Sequence, residues 1–585
     1  MHTEYDQYPT ILLPPDMQIY DSKSAWGLIA DAAKGRSDQP IVVIDCYPGV
    51  NVSELIDAVS EEFTGWQIID VEARAARSDV DRNALIARSL TSDRVFGIMT
   101  HFDVKDFYNS EELLAISDQV RTSAAPTLLV GWGAALIELV DAVVVLADMA
   151  RWEIQRRQRA GAPNWLAGNA KDDPLRKFKR GYFIEWRMAD RHKRTLFDTL
   201  DFLLDTNRGV DDLKLISGDG FRSGLEAAAH RPFRVVPFFD PGVWGGQWMK
   251  KRLHLDPAPA NYAWGFDCVP EENSLLFEAH GVVIEVPSID LVLWQPRNLL
   301  GDKTFARFGA EFPIRFDFLD TMGGGNLSLQ VHPLTEYIKD QFGMAYTQDE
   351  SYYFLDCDDD AAVYLGMKTG AHPGEMIRDL QEAATGGIPF PVDRYVNSFP
   401  ARKHDHFSIP AGTVHCSGAN SMVLEISATP YIFTFKLWDW GRVGLDGVPR
   451  PIHLDHGVAN IQWDRDTEWV ERELLGQVEV LSTSGGVIEE RTGLHGLEFI
   501  ETKRRWFSDS APHDTCGTVN VLNLVDGDEV EVVSPTGAFE PFVVHYAETF
   551  IVPASVGPYL VRRTSNSTSH RFATIEASVR GTRTG

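Results

Sequence analysis

A change of texture near Pro232 constrains this chain more than any other feature of its sequence. Before it, short apolar runs alternate with helical patterns. Pro40–Asp45 reads as a buried strand and Ser53–Glu62 as the helix that follows it. Further strands are expected at Trp66–Val71, Arg94–Thr100, Thr127–Gly131 and Ala142–Leu146. Strands that alternate with helices pack as an α/β domain around a parallel sheet. After Pro232 the chain reads as short strands separated by Gly, Pro, Asn and Asp, the pattern of a β-rich region. Its clearest helical pattern, Glu375–Ala384, is a small insertion. A chain of 585 residues is too long for one core, so a multidomain fold is expected. The boundaries read from the sequence are an α/β domain over residues 1–225, then β-rich domains over 232–465 and 470–585. The segments Ile409-Pro-Ala-Gly412 and Ile551-Val-Pro-Ala554 are alike, as though one β-barrel unit occurred twice.

Composition removes several classes of function. Lys+Arg 55 against Asp+Glu 84 gives a net charge of −29, which disfavours a general nucleic-acid or anionic-membrane surface. The five cysteines are scattered without a CxxC pair, so neither a disulfide framework nor a thiolate zinc cluster is indicated. The stretch Met1–Pro15 is polar and proline-bearing, and no run approaches 18 apolar residues. The expectation is a soluble, cytoplasmic protein whose partner is a small molecule. The oligomeric state is not readable from these features.

Chemistry concentrates in the β-rich half. Gln330 and His332 stand two apart in the run Leu327-Ser-Leu-Gln-Val-His332, and a strand puts both side chains on one face. Glu350 and His415 arrive on later segments that also read as strands. Gln330, His332, Glu350 and His415 together form a nitrogen and oxygen donor set for zinc (Zn2+) or another divalent transition metal, with room left for water or substrate. Taken alone, a histidine two after a glutamine is more often a satisfied interior pair. Cys416 beside His415 reads as a small core residue, and His404 and His406 as a loop pair near a turn.

These residues resemble the type I mannose-6-phosphate isomerases, a zinc-dependent family of cupin (jelly-roll) fold. The resemblance rests on Leu327-Ser-Leu-Gln-Val-His-Pro333, Gln348-Asp-Glu-Ser-Tyr-Tyr-Phe-Leu355, Ile409-Pro-Ala-Gly-Thr-Val-His415, and Leu424-Glu-Ile426 leading to Asp439-Trp-Gly-Arg442. Val243-Trp-Gly-Gly246 also resembles the family's tryptophan-glycine signature. It implies a double cupin, with metal on Gln330, His332, Glu350 and His415 of the first domain and no metal ligands in the second. It implies interconversion of aldose and ketose phosphates through an enediol. Glu425, Lys436 and Arg442 are then the candidate catalytic groups, and Arg315 and Ser328 the candidate substrate contacts.

The departures from the family pattern bear on substrate. Phe312-Pro-Ile-Arg-Phe-Asp317 places an acid where the family has a substrate-site lysine, with Arg315 two positions away on the same strand face. Lys436 stands where the family has an arginine, which keeps the charge but loses the guanidinium fork. Glu425 reads equally as a structural ion-pair partner or a catalytic group, and Arg442 as a buttress through Asp439 or a substrate contact. Two further readings stay open: a non-catalytic sugar-phosphate-binding regulatory protein, and an isomerase of a different, uncharged sugar. The N-terminal domain resembles a degenerate P-loop nucleoside kinase core in texture only. The loop Asp45-Cys-Tyr-Pro-Gly-Val-Asn-Val-Ser53 has one glycine and no lysine, so ATP binding is not implied. Arg151–Arg159 carries four arginines in nine positions, and reads as a solvated or inter-domain face rather than a phosphate lid.

Overall fold

The computed structural model describes residues 4–581 except 387, 429–432, 446, 448, 495 and 497. The chain divides into two compact units, one of residues 10–228 with 270–295, the other of residues 1–9, 229–269 and 296–585. Residues 270–295, which the texture change placed in the β-rich part, thus cluster with the α/β part. They form a hairpin, Ser274–Ala279 with Val282–Pro287, extended in parallel by Thr10–Leu12.

The first unit is built on seven strands: β1 (Ile19–Asp21), β2 (Ile41–Cys46), β3 (Gln67–Asp70), β4 (Thr127–Gly131), β5 (Val143–Asp148), β6 (Phe202–Asp205) and β7 (Lys214–Ser217). Their order is β1-β7-β6-β5-β2-β4-β3. The five from β3 to β6 are parallel, and β7 and β1 add antiparallel at one edge. β2 is an unbroken apolar run up to Asp45 because both its faces are covered. Ala25, Trp26, Ile29, Leu55 and Val59, from helices Ser22–Arg36 and Val52–Glu62, cover one of them.

Two expectations for this unit are corrected. Arg94–Thr100 is not a strand. Its amides Ile98 and Thr100 donate to Ser89 and Phe183 carbonyls at 2.8 and 3.0 Å, so the segment is clasped between helical turns instead of a sheet edge. A Cβ at Gly97 would lie 2.7 Å from the Ser89 carbonyl, too close for any other residue. The arginine helix is solvated only in part, at Arg156 and Arg159. Arg151 is buried and paired with Asp190 and Glu271, and Arg157 donates to Glu153 and to the Thr206 carbonyl. Ile154 of the same helix fills the space beside Gly49, where a phosphate loop would open.

The second unit contains two sandwiches. Strands β8 (Arg315–Asp320), β9 (Leu329–Val331), β10 (Glu350–Cys357), β11 (Ala362–Met367), β12 (Val396–Pro400), β13 (His406–Ile409), β14 (His415–Ser417), β15 (Ser421–Ser427) and β16 (Phe435–Trp438) make the first. One sheet runs β13-β10-β15-β8 and continues through Trp264–Cys268 and Phe238–Asp240. The facing sheet runs β12-β11-β14-β9-β16. Strands β17 (Ile500–Phe507), β18 (Ser510–Asp514), β19 (Asn520–Asp526), β20 (Glu529–Val533), β21 (Phe542–His545), β22 (Thr549–Val552), β23 (Pro558–Arg563) and β24 (Phe572–Val579) make the second. Its sheets run β22-β19-β24-β17, continued by Val487–Thr492 and Glu479–Ser484, and β21-β20-β23-β18, which repeats the order of the first sandwich except that β16 has no counterpart. Even the irregularity repeats: the register with β15 shifts between Phe354 and Asp356, and that with β24 between Leu524 and Asp526. The helix Pro373–Ala384 lies between β11 and β12 and buries Met376, Leu380 and Ala383, one face of its turns.

Candidate metal centre

Side-chain alternation on three adjacent ladders brings the candidate ligands together. Gln330 on β9 is the cross-strand partner of His415 on β14, and Lys436 on β16 is its partner on the other side. Lys436, Gln330 and His415 therefore project from one row of the sheet. From the facing sheet comes Glu350, at the start of β10 and opposite both Ile409 and Ser427. His332 follows Gln330 by two residues. One ligand atom each of His332, Glu350 and His415 lies within 4.8 Å of the others, and all three residues are buried.

The hydrogen bonding shows what such a cluster requires. Nδ1 of His332 is 2.9 Å from the Phe433 carbonyl oxygen, and Nδ1 of His415 is 2.8 Å from that of Thr413. A carbonyl oxygen only accepts, so each Nδ1 carries the hydrogen and each neutral ring keeps its lone pair on Nε2. Those two nitrogens stand 3.0 and 2.8 Å from the Glu350 oxygens, which are acceptors as well. His332 Nε2 and Glu350 Oε1 are buried with no hydrogen bond. Acceptors this close repel unless a cation lies among them, and fixing Nδ1 on a carbonyl is the usual way a ligating imidazole is oriented. The Gln330 amide nitrogen lies 3.3 Å from His415 Nε2; with the amide turned over, its oxygen would complete a set of two nitrogens and two oxygens. The donor set fits a zinc-type ion. Burial alone would raise the Glu350 pKa, yet His332, then His415, hold it well below the ordinary value, so the carboxylate is charged as a ligand must be.

The other candidates fall in two places. Glu425 lies on β15 between Asp317 on β8 and Tyr352 on β10. Burial, then the Glu350 charge, push its pKa well above the carboxylate range, so it favours the protonated form. Of the two readings of Glu425, the ion pair is not made among the described residues. Arg315 turns to Asp317, which it meets through two guanidinium nitrogens. Ser328 and Arg442 are joined through Asp439, whose Oδ1 accepts from both at 3.0 and 2.5 Å. Arg442 also donates to the Asn326 carbonyl. His406 is not in a loop. It opens β13 and is held between Thr492 and Ser351, and burial with Arg504 lowers its pKa to about 3.

Three residues here escaped the sequence reading. Gln348 donates to Glu350 at 3.1 Å and to Glu425 at 3.4 Å, tying ligand to acid. The Tyr352 hydroxyl is buried without a hydrogen-bond partner. Arg450 donates to Asp439 Oδ2 at 2.7 Å and to Ser328 at 3.3 Å. Gln348 and Tyr352 flank Glu350 by two residues each, so strand alternation alone was the signal for them. A second group, Glu4, Glu529 and His545, also falls within ligand distance, but Glu4 is exposed and His545 Nδ1 is engaged by Glu548.

Residues 25–230 match the model of a family described as a domain of unknown function (DUF8485). Among curated proteins, the chain is 25% identical to the mannose-6-phosphate isomerase of Streptococcus mutans over 37% of this chain and 63% of that protein. It is 25% identical to one from Bacillus subtilis over 40% of this chain and 68% of that protein. The chain thus spans less than two thirds of the first relative's own length. Among solved structures, the B. subtilis mannose 6-phosphate isomerase aligns with 60% of this chain and 99% of its own, at 16% identity and a TM-score of 0.47. A zinc-bound mannose 6-phosphate isomerase aligns with 59% of this chain and 99% of its own, at 14% identity and a TM-score of 0.45. Part of the chain is thus similar in sequence to proteins named mannose-6-phosphate isomerases. No helix among the described residues is long and apolar enough to cross a membrane.

Proposed function

We propose that this chain is a metal-dependent sugar-phosphate isomerase that interconverts mannose 6-phosphate and fructose 6-phosphate through an enediol, with its first sandwich acting as a metal-holding cupin. The observation that carries the proposal is the convergence of the His332, Glu350 and His415 lone pairs, with Gln330 beside them, at one buried point. Distant mannose-6-phosphate isomerase relatives support it.

Gln330, His332, Glu350 and His415 would hold the ion, which when bound supplies Lewis-acid polarisation of substrate oxygens. Glu425, held in its protonated form by burial and by Glu350, has a proton to give or share within the same wall. Lys436 brings a cation to the row of Gln330 and His415. Arg442 and Arg450 share the single carboxylate of Asp439, which leaves one positive charge uncompensated beside Ser328 for a phosphate. The N-terminal unit is read as a kinase-like core without a working phosphate loop, since Ile154 packs against Gly49 and no lysine follows.

The test is metal analysis together with a mannose 6-phosphate to fructose 6-phosphate assay on the wild type and on His415→Ala. One zinc-type ion per chain and turnover are expected in the first, and loss of both in the second. Absence of metal, or activity indifferent to the substitution, overturns the proposal. A second reading, isomerisation of an uncharged sugar, draws on the Arg315–Asp317 pair. Asp317 already neutralises that cation, and a buried carboxylate repels phosphate. A panel of unphosphorylated aldoses and ketoses separates the two.

A further inference from the structure

The shared strand order allows the two sandwiches to be overlaid by register. Glu350 faces Ile409 and Ser427 in the first, and Asn520 faces Val552 and Ser578 in the second. Two residues before Ser427 stands Glu425, and two before Ser578 stands Glu576. Where the first copy has the cross-strand pair Gln330 and His415, the corresponding two strands of the second carry the cross-strand pair His513 and Tyr559. The end of the barrel that gathers metal donors in the first copy thus gathers a different polar group in the second. The rest of that interior is apolar, with Phe507, Leu522, Leu524, Phe550, Val561 and Phe572 in one cluster.

This polar end grades from rim to floor. Side-chain exposure falls from 27% at Lys503 and 23% at Glu489 to 8% at Arg505 and 0% at His513. Arg505 donates to Glu576 at 2.5 Å and to Glu489 at 3.1 Å, and Lys503 lies 3.8 Å from Glu489. His513 lies flat against Tyr559, with ring centroids 5.0 Å apart, and its Nδ1 is 2.8 Å from both Glu576 and the Arg505 guanidinium. Its Nε2 is buried with no partner. His513 shares a strand face with Ala511 of the interior cluster, so this unanswered nitrogen belongs to the barrel's interior.

We propose that the C-terminal barrel is a second, metal-independent ligand site that takes a neutral polyhydroxyl compound of the sugar class between Lys503, Glu489, Arg505 and His513. The chemistry selects hydroxyls over anions. Both cations are already matched by carboxylates, so a phosphate meets as much negative as positive charge. Adjacent carboxylate and cation, by contrast, serve a hydroxyl, which donates to one and accepts from the other. A hydroxyl also answers His513 Nε2 whichever ring nitrogen carries the proton. Burial, then Arg505, lower the His513 pKa to about 4, so the ring stays neutral as such a ligand requires.

The test is equilibrium dialysis of the full chain against D-mannose, D-glucose and inorganic phosphate, with and without a metal chelator. One saturable site for at least one of the sugars is expected to survive both chelation and His415→Ala. It is expected to weaken at least tenfold in Lys503→Ala combined with Glu489→Ala, whose partly exposed side chains leave the core intact, and in His513→Phe. No chelator-resistant sugar site, a site indifferent to the Lys503 and Glu489 changes, or equal competition by phosphate overturns the proposal. The readout needs no isomerase activity, so failure here and failure of the metal centre are distinguishable.

Discussion

The two barrels of the second unit are one topology with two interiors. In the first, the Nε2 atoms of His332 and His415 face the oxygens of Glu350 as acceptors, and among the described residues His332 Nε2 and Glu350 Oε1 have no donor. In the second, the same end of the barrel holds Glu576, Arg505 and His513, in which donors and acceptors alternate. A buried polar cluster made only of acceptors needs a cation from outside the chain. One that contains its own guanidinium has supplied the cation already. The lesson is that the fold sets where polar side chains gather, and the sign of their hydrogen-bonding capacity sets what they bind.

The strongest way to break the comparison is to give the first barrel the residue of the second. Glu350→Asn removes the one charged ligand, and metal should be lost on dialysis, a fall in affinity of more than about 100-fold. Retained metal in that variant would show that the overlay does not mark the decisive ligand. The converse change is Glu576→Gln. Arg505, then His513, hold the Glu576 pKa at about 2 against the effect of burial. Its unfolded value is higher, so its contribution is fully present above about pH 4.5 and is lost as pH falls toward 2. The shift corresponds to on the order of 3 kcal/mol. Urea denaturation at pH 6 and pH 3 should show the wild type losing stability across that window, and the Gln variant with a flatter profile. A slope unchanged by the substitution would refute the ion pair's role.

Smaller effects sharpen the picture of the first barrel. Gln348→Ala cuts the bridge from Glu350 to Glu425, and metal affinity should fall about 10- to 100-fold with the ligands themselves intact. An unchanged affinity in competition with a chelating dye would remove Gln348 from the centre. Ser328→Ala loses one hydrogen bond to Asp439, about 1 kcal/mol, and should raise KM for a sugar phosphate severalfold while kcat changes less. An effect confined to kcat would place Ser328 elsewhere.

Much of the first barrel was legible in the sequence. Gln330 and His332 share a face because strands alternate, and Glu350 and His415 stand in segments whose family resemblance is local and ungapped. The surrounding residues were not legible, because a contact between Arg450 and Ser328 or between Gln348 and Glu425 depends on sheet order and register, which no local pattern encodes. The second barrel's floor shows the same limit. Arg505, His513 and Glu576 come from three strands spread over some 70 residues, and only the ladder brings them together. Arg94–Thr100 failed as a strand for a different reason: its apolar run packs against helical turns, which periodicity cannot distinguish from a sheet. The apolar strands β2, β4 and β5 were read correctly since continuous burial on both faces leaves an unmistakable composition.

The central claim is that one barrel holds a metal and its twin does not. Metal content per chain, measured on the purified protein and on the His332→Ala and His513→Phe variants, tests it most directly. The account predicts one zinc-type ion per chain in the wild type, none in His332→Ala and one in His513→Phe. Metal that survives loss of His332, or that departs with His513, would contradict it.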